Sequence, residues 1–331
     1  MDKIIGMGNA LVDALVRMDD DVLLDQLQLP KGSIQLVDAE RLDTIRRYTE
    51  GMKSVRSTGG CASNTMLALA HLGVPVKFFG KTGDDASGAF FEKSLQKAGV
   101  EACLLKDEAP SGIASTFVSK DGERTFGTYL GAAATLTAAD ITPDRFAGYA
   151  YLYIEGYLVQ DHLLIERAMQ MARQEGLQVC LDLASYNLVE QEREYFDTLV
   201  TKYVDIVFAN EREARAFTGL DPLEALEVMG SKCSVAVVKV GPKGSLVKKG
   251  TEVIQVLPCS LPKVVDTTGA GDFYAAGFLY GLSCGYSLEK CVEIASILAA
   301  HVVQVVGTTL TKSRWEQIKL NIEYVLQAAG K

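Results

Sequence analysis

The sequence is poor in the features that mark secreted, metal-bound and polyanion-binding proteins. Its seven cysteines (Cys61, Cys103, Cys180, Cys233, Cys259, Cys284 and Cys291) are an odd number without a CxxC pair, which excludes a disulfide framework or a zinc ribbon and fits buried thiols in a reducing cytoplasm. There are three histidines, His71, His162 and His301, none in a metal-ligand spacing, so packing or surface roles are expected for them. Positive charge is also short: 33 Lys and Arg stand against 42 Asp and Glu, a formal charge of -9. A surface for nucleic acid rests on clustered cations and is excluded as a partner, whereas a small, locally captured anion is not. The opening MDKIIGMG lacks the basic segment and long apolar run of an export signal. The most apolar helical stretch, 291–306, is interrupted by Glu293, His301 and Gln304 and falls short of the ~20 apolar residues that span a bilayer. It reads as a buried helix, with no membrane partner. No low-complexity linker or repeat period divides the chain.

What is present is enough apolar residue for a large core, 48% of 331 positions. Apolar runs of strand length recur at 3–8, 76–80, 151–156, 179–183, 205–210 and 235–241. Segments with helical apolar spacing lie between them, around 62–72, 88–98, 162–175 and 190–200. This alternation predicts an α/β protein with a mainly parallel, doubly wound sheet flanked by helices. Two stretches break the rhythm, 13–37 and 103–130; the second holds IASTFV and RTFGTYL around a Lys120-Asp121-Gly122 turn, a hairpin signal. They are expected to build a small β lid on one large domain spanning 1–331.

Two nucleotide motifs fail on inspection. In GMGNAL the third glycine of GxGxxG would fall at Leu11, whose side chain blocks close helix packing. In GKT at 80–82 the first glycine of a Walker loop would fall at Pro75, which has no backbone donor. The strongest chemical segment is DTTGAGDFYAAGF, 266–278. A strand-like approach, LPKVVD, meets the Gly269-Ala270-Gly271 turn and then a helix, leaving several N–H groups unpaired where the helix dipole favours an anion. Asp272 would sit beside that cradle. A carboxylate next to a phosphoryl group is out of place as a mere cap and in place as a base that takes a proton from an incoming hydroxyl.

At this segment the sequence resembles the ribokinase/PfkB family of carbohydrate and nucleoside kinases, whose signature ends in Gly-Ala-Gly-Asp. The resemblance continues at Gly59-Gly60 followed by Asn64 and at NERE, 210–213, and so spans almost the whole chain. Within the family, GMGNALVD at 6–13, YIEGY at 153–157, VDIVFANEREA at 204–214 and the small-residue run 131–134 look most like adenosine kinases. The resemblance implies an ATP-dependent kinase using Mg²⁺, with the primary 5′-hydroxyl of a nucleoside, adenosine first, as acceptor. A sugar acceptor (ribose, fructose or a relative) and a non-catalytic sensor of the same fold stand as alternatives.

The resemblance also implies roles. Asp13, Asn9, Gly59, Gly60, Asn64 and Tyr157 would grip the acceptor, with Asp13 taking both hydrogens of a vicinal diol. Asn210 and Glu213 would act on hydrated Mg²⁺, although the pair also reads as a helix capping box. Lys239, Gly241 and Gly244 would line the ATP site, although Gly241-Pro242-Lys243-Gly244 also reads as a hairpin turn. Asp272 would be the base, with the N–H groups of Ala270, Gly271 and Asp272 stabilising the transferred phosphoryl group. Asp266 would ligate a monovalent cation, K⁺. Arg124 reads as solvated, with an approach to the transferred phosphate as the alternative. Phe117, Phe126 and Tyr129, with Tyr157, could stack a purine or form an apolar lid face. Two departures stand out: Ala134 occupies the place of an Asn found in many relatives, and LDLASYN at 181–187 matches only loosely. A monomer or homodimer is expected.

Overall fold

The computed structural model describes residues 1–121, 123–259 and 263–328; Gly122 of the hairpin signal and the Leu261-Pro262 start of LPKVVD lie outside them. The strands, in chain order, are β1 Ile4–Met7, β2 Leu11–Arg17, β3 Ile34–Leu36, β4 Ser54–Gly59, β5 Val76–Gly83, β6 Glu101–Asp107, β7 Gly112–Val118, β8 Arg124–Tyr129, β9 Tyr151–Glu155, β10 Gln178–Asp182, β11 Ile206–Asn210, β12 Val235–Lys239, β13 Ser245–Lys249 and β14 Glu252–Val256. Nine of them form one sheet in the order β14-β13-β12-β11-β10-β9-β1-β5-β6, and five form a second in the order β3-β8-β7-β2-β4. In the large sheet all pairings from β6 to β12 are parallel, and the hairpin β12-β13-β14 adds two antiparallel ones.

The six apolar runs all became strands of that sheet, because residues alternating along a strand face opposite sides and both sides are buried here. Phe78, Tyr153, Phe208 and Val237 pack on one face with the helices Cys61–His71, Ala270–Ser283 and Leu288–Val302. Their chain neighbours Phe79, Leu152, Ile154, Val207 and Ala236 pack on the other, with His162–Gln174, Arg193–Lys202 and Pro222–Gly230. Each large side chain so buried contributes about 1.5–3 kcal/mol. The apolar stretch near 291–306 is the buried helix Leu288–Val302, and among the described residues no helix is long and apolar enough to cross a membrane.

Two expectations change. Cys103–Asp107, assigned by the sequence to the lid insertion, pair in parallel with β5 and belong to the large sheet. The smaller sheet instead recruits β2 from Leu11 and the polar strand β4, which pair antiparallel. Of the strand-like approach to Gly269, the described residues Lys263–Asp266 are irregular rather than a strand.

The chain runs from β1 outward to β5 and β6 and then from β9 outward the other way. The order therefore reverses at β1, and ligands in such sheets bind beyond the carboxyl ends of the strands at that point. There the smaller sheet meets the large one. Its outer face is covered by the helix Ala39–Thr49 and a small core of Val16, Met18, Leu24, Ile45 and Phe117.

Candidate active site

Between the two sheets lies a cavity of about 790 Å³, lined from both, within the range of small-molecule sites. Five of the parallel strands deliver one polar residue each to its floor. Asn9 follows β1, while Glu155, Asp182, Asn210 and Lys239 end β9, β10, β11 and β12. Of the residues singled out in the sequence, Asn9, Asp13, Gly60, Asn64, Tyr157, Asn210, Glu213, Lys239, Gly241, Gly244, Gly269, Ala270, Gly271 and Asp272 all line this one cavity; Gly59 and Asp266 do not.

At its centre the helix Ala270–Ser283 begins. Gly269 caps it in the left-handed region, φ +74°, a conformation that favours glycine. Asp272 in the first turn is 8% exposed and its Oδ2 accepts from Asn64 Nδ2 at 2.8 Å. Burial is the largest influence and pushes its carboxyl up from 3.8 to about 7; Asn64 and Lys239 pull the other way and Asp182 adds to the rise. The cradle is smaller than expected, because the Ala270 N–H is donated to the Thr267 carbonyl at 3.2 Å. The N–H groups of Gly271 and Asp272 have no partner among the described residues.

Asp13 stands on β2 with its carboxyl also raised to about 7, by burial first and against the pull of Arg124. Gly59 lies opposite Leu11 on β4, and a Cβ there would collide with the Asp13 carboxylate. Gly60, at φ +93°, brings its backbone against the Asn9 carbonyl oxygen, where a Cβ would likewise collide. These two glycines therefore set the fit of β4 against Asp13 and Asn9.

Glu155 and Asp182 are the residues the sequence reading missed. Glu155, 1% exposed, accepts from Asn9 N and Asn9 Nδ2, both at 2.9 Å, and from Ala62 N at 3.0 Å. It thereby locks the end of β1 to the start of the Cys61–His71 helix. Burial raises its carboxyl and these three donors oppose the rise. Asp182 accepts from Lys239 Nζ at 3.0 Å. Burial works against the Lys239 charge, but Asp182 and Glu213 outweigh it and hold the ammonium above its usual range. Glu213 is raised, by burial first and then by Asp182. The capping box is present as well: Glu213 accepts from Asn210 N at 2.7 Å, and Asn210 Oδ1 accepts from Glu213 N at 2.9 Å.

Arg124 is not solvated. Its guanidinium reaches from β8 to an ion pair with Asp266, and the Asp266 carboxylate also accepts from Thr268 N at 3.1 Å and Gly307 N at 2.7 Å. Asp266, expected to hold a monovalent cation, K⁺, thus has a guanidinium as its counter-charge. Phe117 is buried in the outer core of the smaller sheet and Tyr129 packs against the cores. Of the lid aromatics named above Phe126 lines the cavity, with Tyr157 from the helical turn Gly156–Gln160 after β9, while Ala134 is exposed outside it. The histidines take packing and surface roles: His71 stacks on Trp315, His162 stacks on Tyr195, and His301 meets Asn321.

The family model of pfkB carbohydrate kinases matches residues 33–315. A solved adenosine kinase from Sinorhizobium meliloti is 35% identical, with a TM-score of 0.88 over 96% of this chain and 99% of its own. A probable sugar kinase from Rhizobium etli is 33% identical, with a TM-score of 0.88 over 96% of this chain and 98% of its own. The 5-dehydro-2-deoxygluconokinase of Bacillus subtilis is 27% identical over 87% of this chain and 93% of its own length.

Proposed function

The chain belongs to the pfkB family of carbohydrate kinases, phosphotransferases with an alcohol acceptor, and on that premise we propose that its acceptor is the 5′-hydroxyl of a nucleoside, adenosine foremost. The observation that carries this reading is the apolar wall that the smaller sheet presents to the cavity. Leu11, Ile34, Leu36 and Phe126 line the cavity there, and Ile34 and Leu36 are 58% and 55% exposed. A flat purine covers such a surface, at roughly 25 cal/mol per Å² of apolar area removed from water. A bare sugar is smaller and rimmed with hydroxyls, and covers less of it. The identity to an adenosine kinase along nearly the full length supports the same reading.

Asp13 accepts the ribose diol and Glu155 holds Asn9 in place beside it. Asp272 takes the proton of the 5′-hydroxyl as it attacks, and the N–H groups of Gly271 and Asp272 meet the charge that develops on the transferred group. Pfkb-family kinases use ATP, generally with Mg²⁺. The residues fit that ion. Asp182, Glu213 and Asp272 crowd one Lys239, so the site carries surplus negative charge. Such an ion is bound through one or two carboxylates, waters and phosphates rather than by a dedicated protein cage. Mg²⁺ would supply neutralisation of the phosphate charge; Glu213 and Asp182 would hold it through water, and Lys239 keeps the Asp182 carboxylate aligned. Gly241 and Gly244 in the β12-β13 turn line the nucleotide side.

A sugar acceptor is the second reading, favoured by the names of two of the relatives. A panel of nucleosides and sugars with MgATP, followed by ADP release, separates the two. The nucleoside reading expects kcat/KM for adenosine at least about tenfold above ribose and fructose, given ~1.4 kcal/mol per tenfold from the apolar wall. Inert adenosine beside turnover of a sugar would contradict it.

A further inference from the structure

The segment after the Leu288–Val302 helix carries a hydroxyl that the kinase reading leaves unused. Thr308 Oγ1 donates to Asn64 Oδ1 at 3.2 Å, and Asn64 Nδ2 in turn donates to Asp272 Oδ2 at 2.8 Å. The two ends of an amide differ only in which one carries hydrogens, so its orientation in a buried site is set by its partners: the ionised Asp272 carboxylate only accepts and takes the amino end, and the Thr308 hydroxyl holds the other end. With Thr308 on Oδ1, the amino end faces Asp272. The reversed amide would set its oxygen against a carboxylate oxygen and lose the bond to Asp272, while the Thr308 hydroxyl would accept from its amino group.

Thr308 is itself held on two sides. Its Cγ2 methyl fills the space a Cβ on Gly269 would need, and a β-branched side chain so packed keeps one rotamer. The amide of Gly307 just before it donates to Asp266 at 2.7 Å, the carboxylate that also carries Arg124 of the smaller sheet.

We propose that Thr308 is a positioning residue for the base: through Asn64 it fixes the Asp272 carboxylate with Oδ2 satisfied and Oδ1 directed to the acceptor hydroxyl. Asn64 is bonded to Oδ2, and the Cys61 thiol also lies against this carboxylate. The inference rests on Asp272 being the base.

Thr308→Val keeps the methyl against Gly269 and removes the hydroxyl, whereas Thr308→Ser keeps the hydroxyl. Loss of one oriented hydrogen bond is expected to lower kcat about 5–10-fold in Thr308→Val, with KM for MgATP unchanged. The acidic limb of its kcat–pH profile should move to higher pH, because a freed Asn64 no longer favours the ionised carboxylate. The other ionisable groups around Asp272, namely Asp182, Lys239, Glu155, Cys61, Tyr153 and Tyr157, are untouched by the substitution. Thr308→Ser should retain near-normal kcat and limb. Wild-type kcat in Thr308→Val, a loss without a limb shift, or an equal loss in Thr308→Ser would each overturn the proposal. Asp272→Asn is the control: if it keeps its turnover, the base assignment fails first, independently of Thr308.

Discussion

Asp272→Asn should make the protein more stable while disabling it, and the gain should depend on pH in a defined way. The folded carboxyl holds its proton up to about pH 7, whereas the ordinary value is 3.8. Between those values the folded state binds more protons than the unfolded one, so stability falls as pH rises from about 4 to 7 and levels off above. About 3 units at 1.36 kcal/mol each give a penalty of roughly 4 kcal/mol at pH 8, shrinking to about 1 kcal/mol at pH 4.5. Asparagine is neutral at both pH values and can still accept from Asn64. At roughly 2.1 cal/mol/K of unfolding entropy per residue, the expected rise in Tm is about 5 °C at pH 8 and about 1 °C at pH 4.5. Thermal melts of both proteins at the two pH values read this directly. An Asn variant less stable than the parent at pH 8, or a gain equally large at pH 4.5, would refute the reasoning that burial strains this carboxylate.

Three further outcomes follow from the same geometry. Because Asp13 and Asp272 both titrate near 7 and both act ionised, kcat/KM for the acceptor should fall below about pH 7 with a log slope above one; a flat profile down to pH 5.5 would count against their roles. Lys239→Met strands Asp182 beside Glu213, with the broken pair only 15% and 9% exposed, so a loss of about 3–5 kcal/mol in denaturant unfolding is expected, largely reversed by adding Asp182→Asn. Gly60→Ala, at φ +93° against the Asn9 carbonyl, should lose about 1–3 kcal/mol and raise KM for the acceptor; unchanged stability and KM would show that β4 tolerates the shift.

Much of the large sheet was legible because its buried strands, such as VKFFG and VAVVKVG, are unbroken apolar runs. The misread strands are the ones without that pattern. β6, EACLLKD, is an edge strand with no fully buried residue, and β4, SVRSTG, is polar and half exposed, so neither advertises burial. The glycine turn before Asp272 announced itself locally, since a left-handed cap beside an acidic first turn is a property of neighbouring residues. Glu155 and Asp182 could not announce themselves, because each is a lone carboxylate at the end of an apolar strand. Only the parallel alignment of strand ends brings them into one floor. Arg124 was read as solvated because Asp266, its partner, lies 142 positions away. A charge whose counter-ion comes from another sheet looks unpaired in a linear reading. Thr308 and Asn64 are further apart still, at 244 positions.

The account stands on Asp272 as proton acceptor at the start of the Ala270–Ser283 helix. The direct measurement is kcat of Asp272→Asn with the best acceptor of the panel at saturating MgATP, on protein whose circular dichroism matches the parent. Turnover should fall by about 10²–10⁴-fold, the share of a general base. Turnover within a few-fold of the parent would contradict the account.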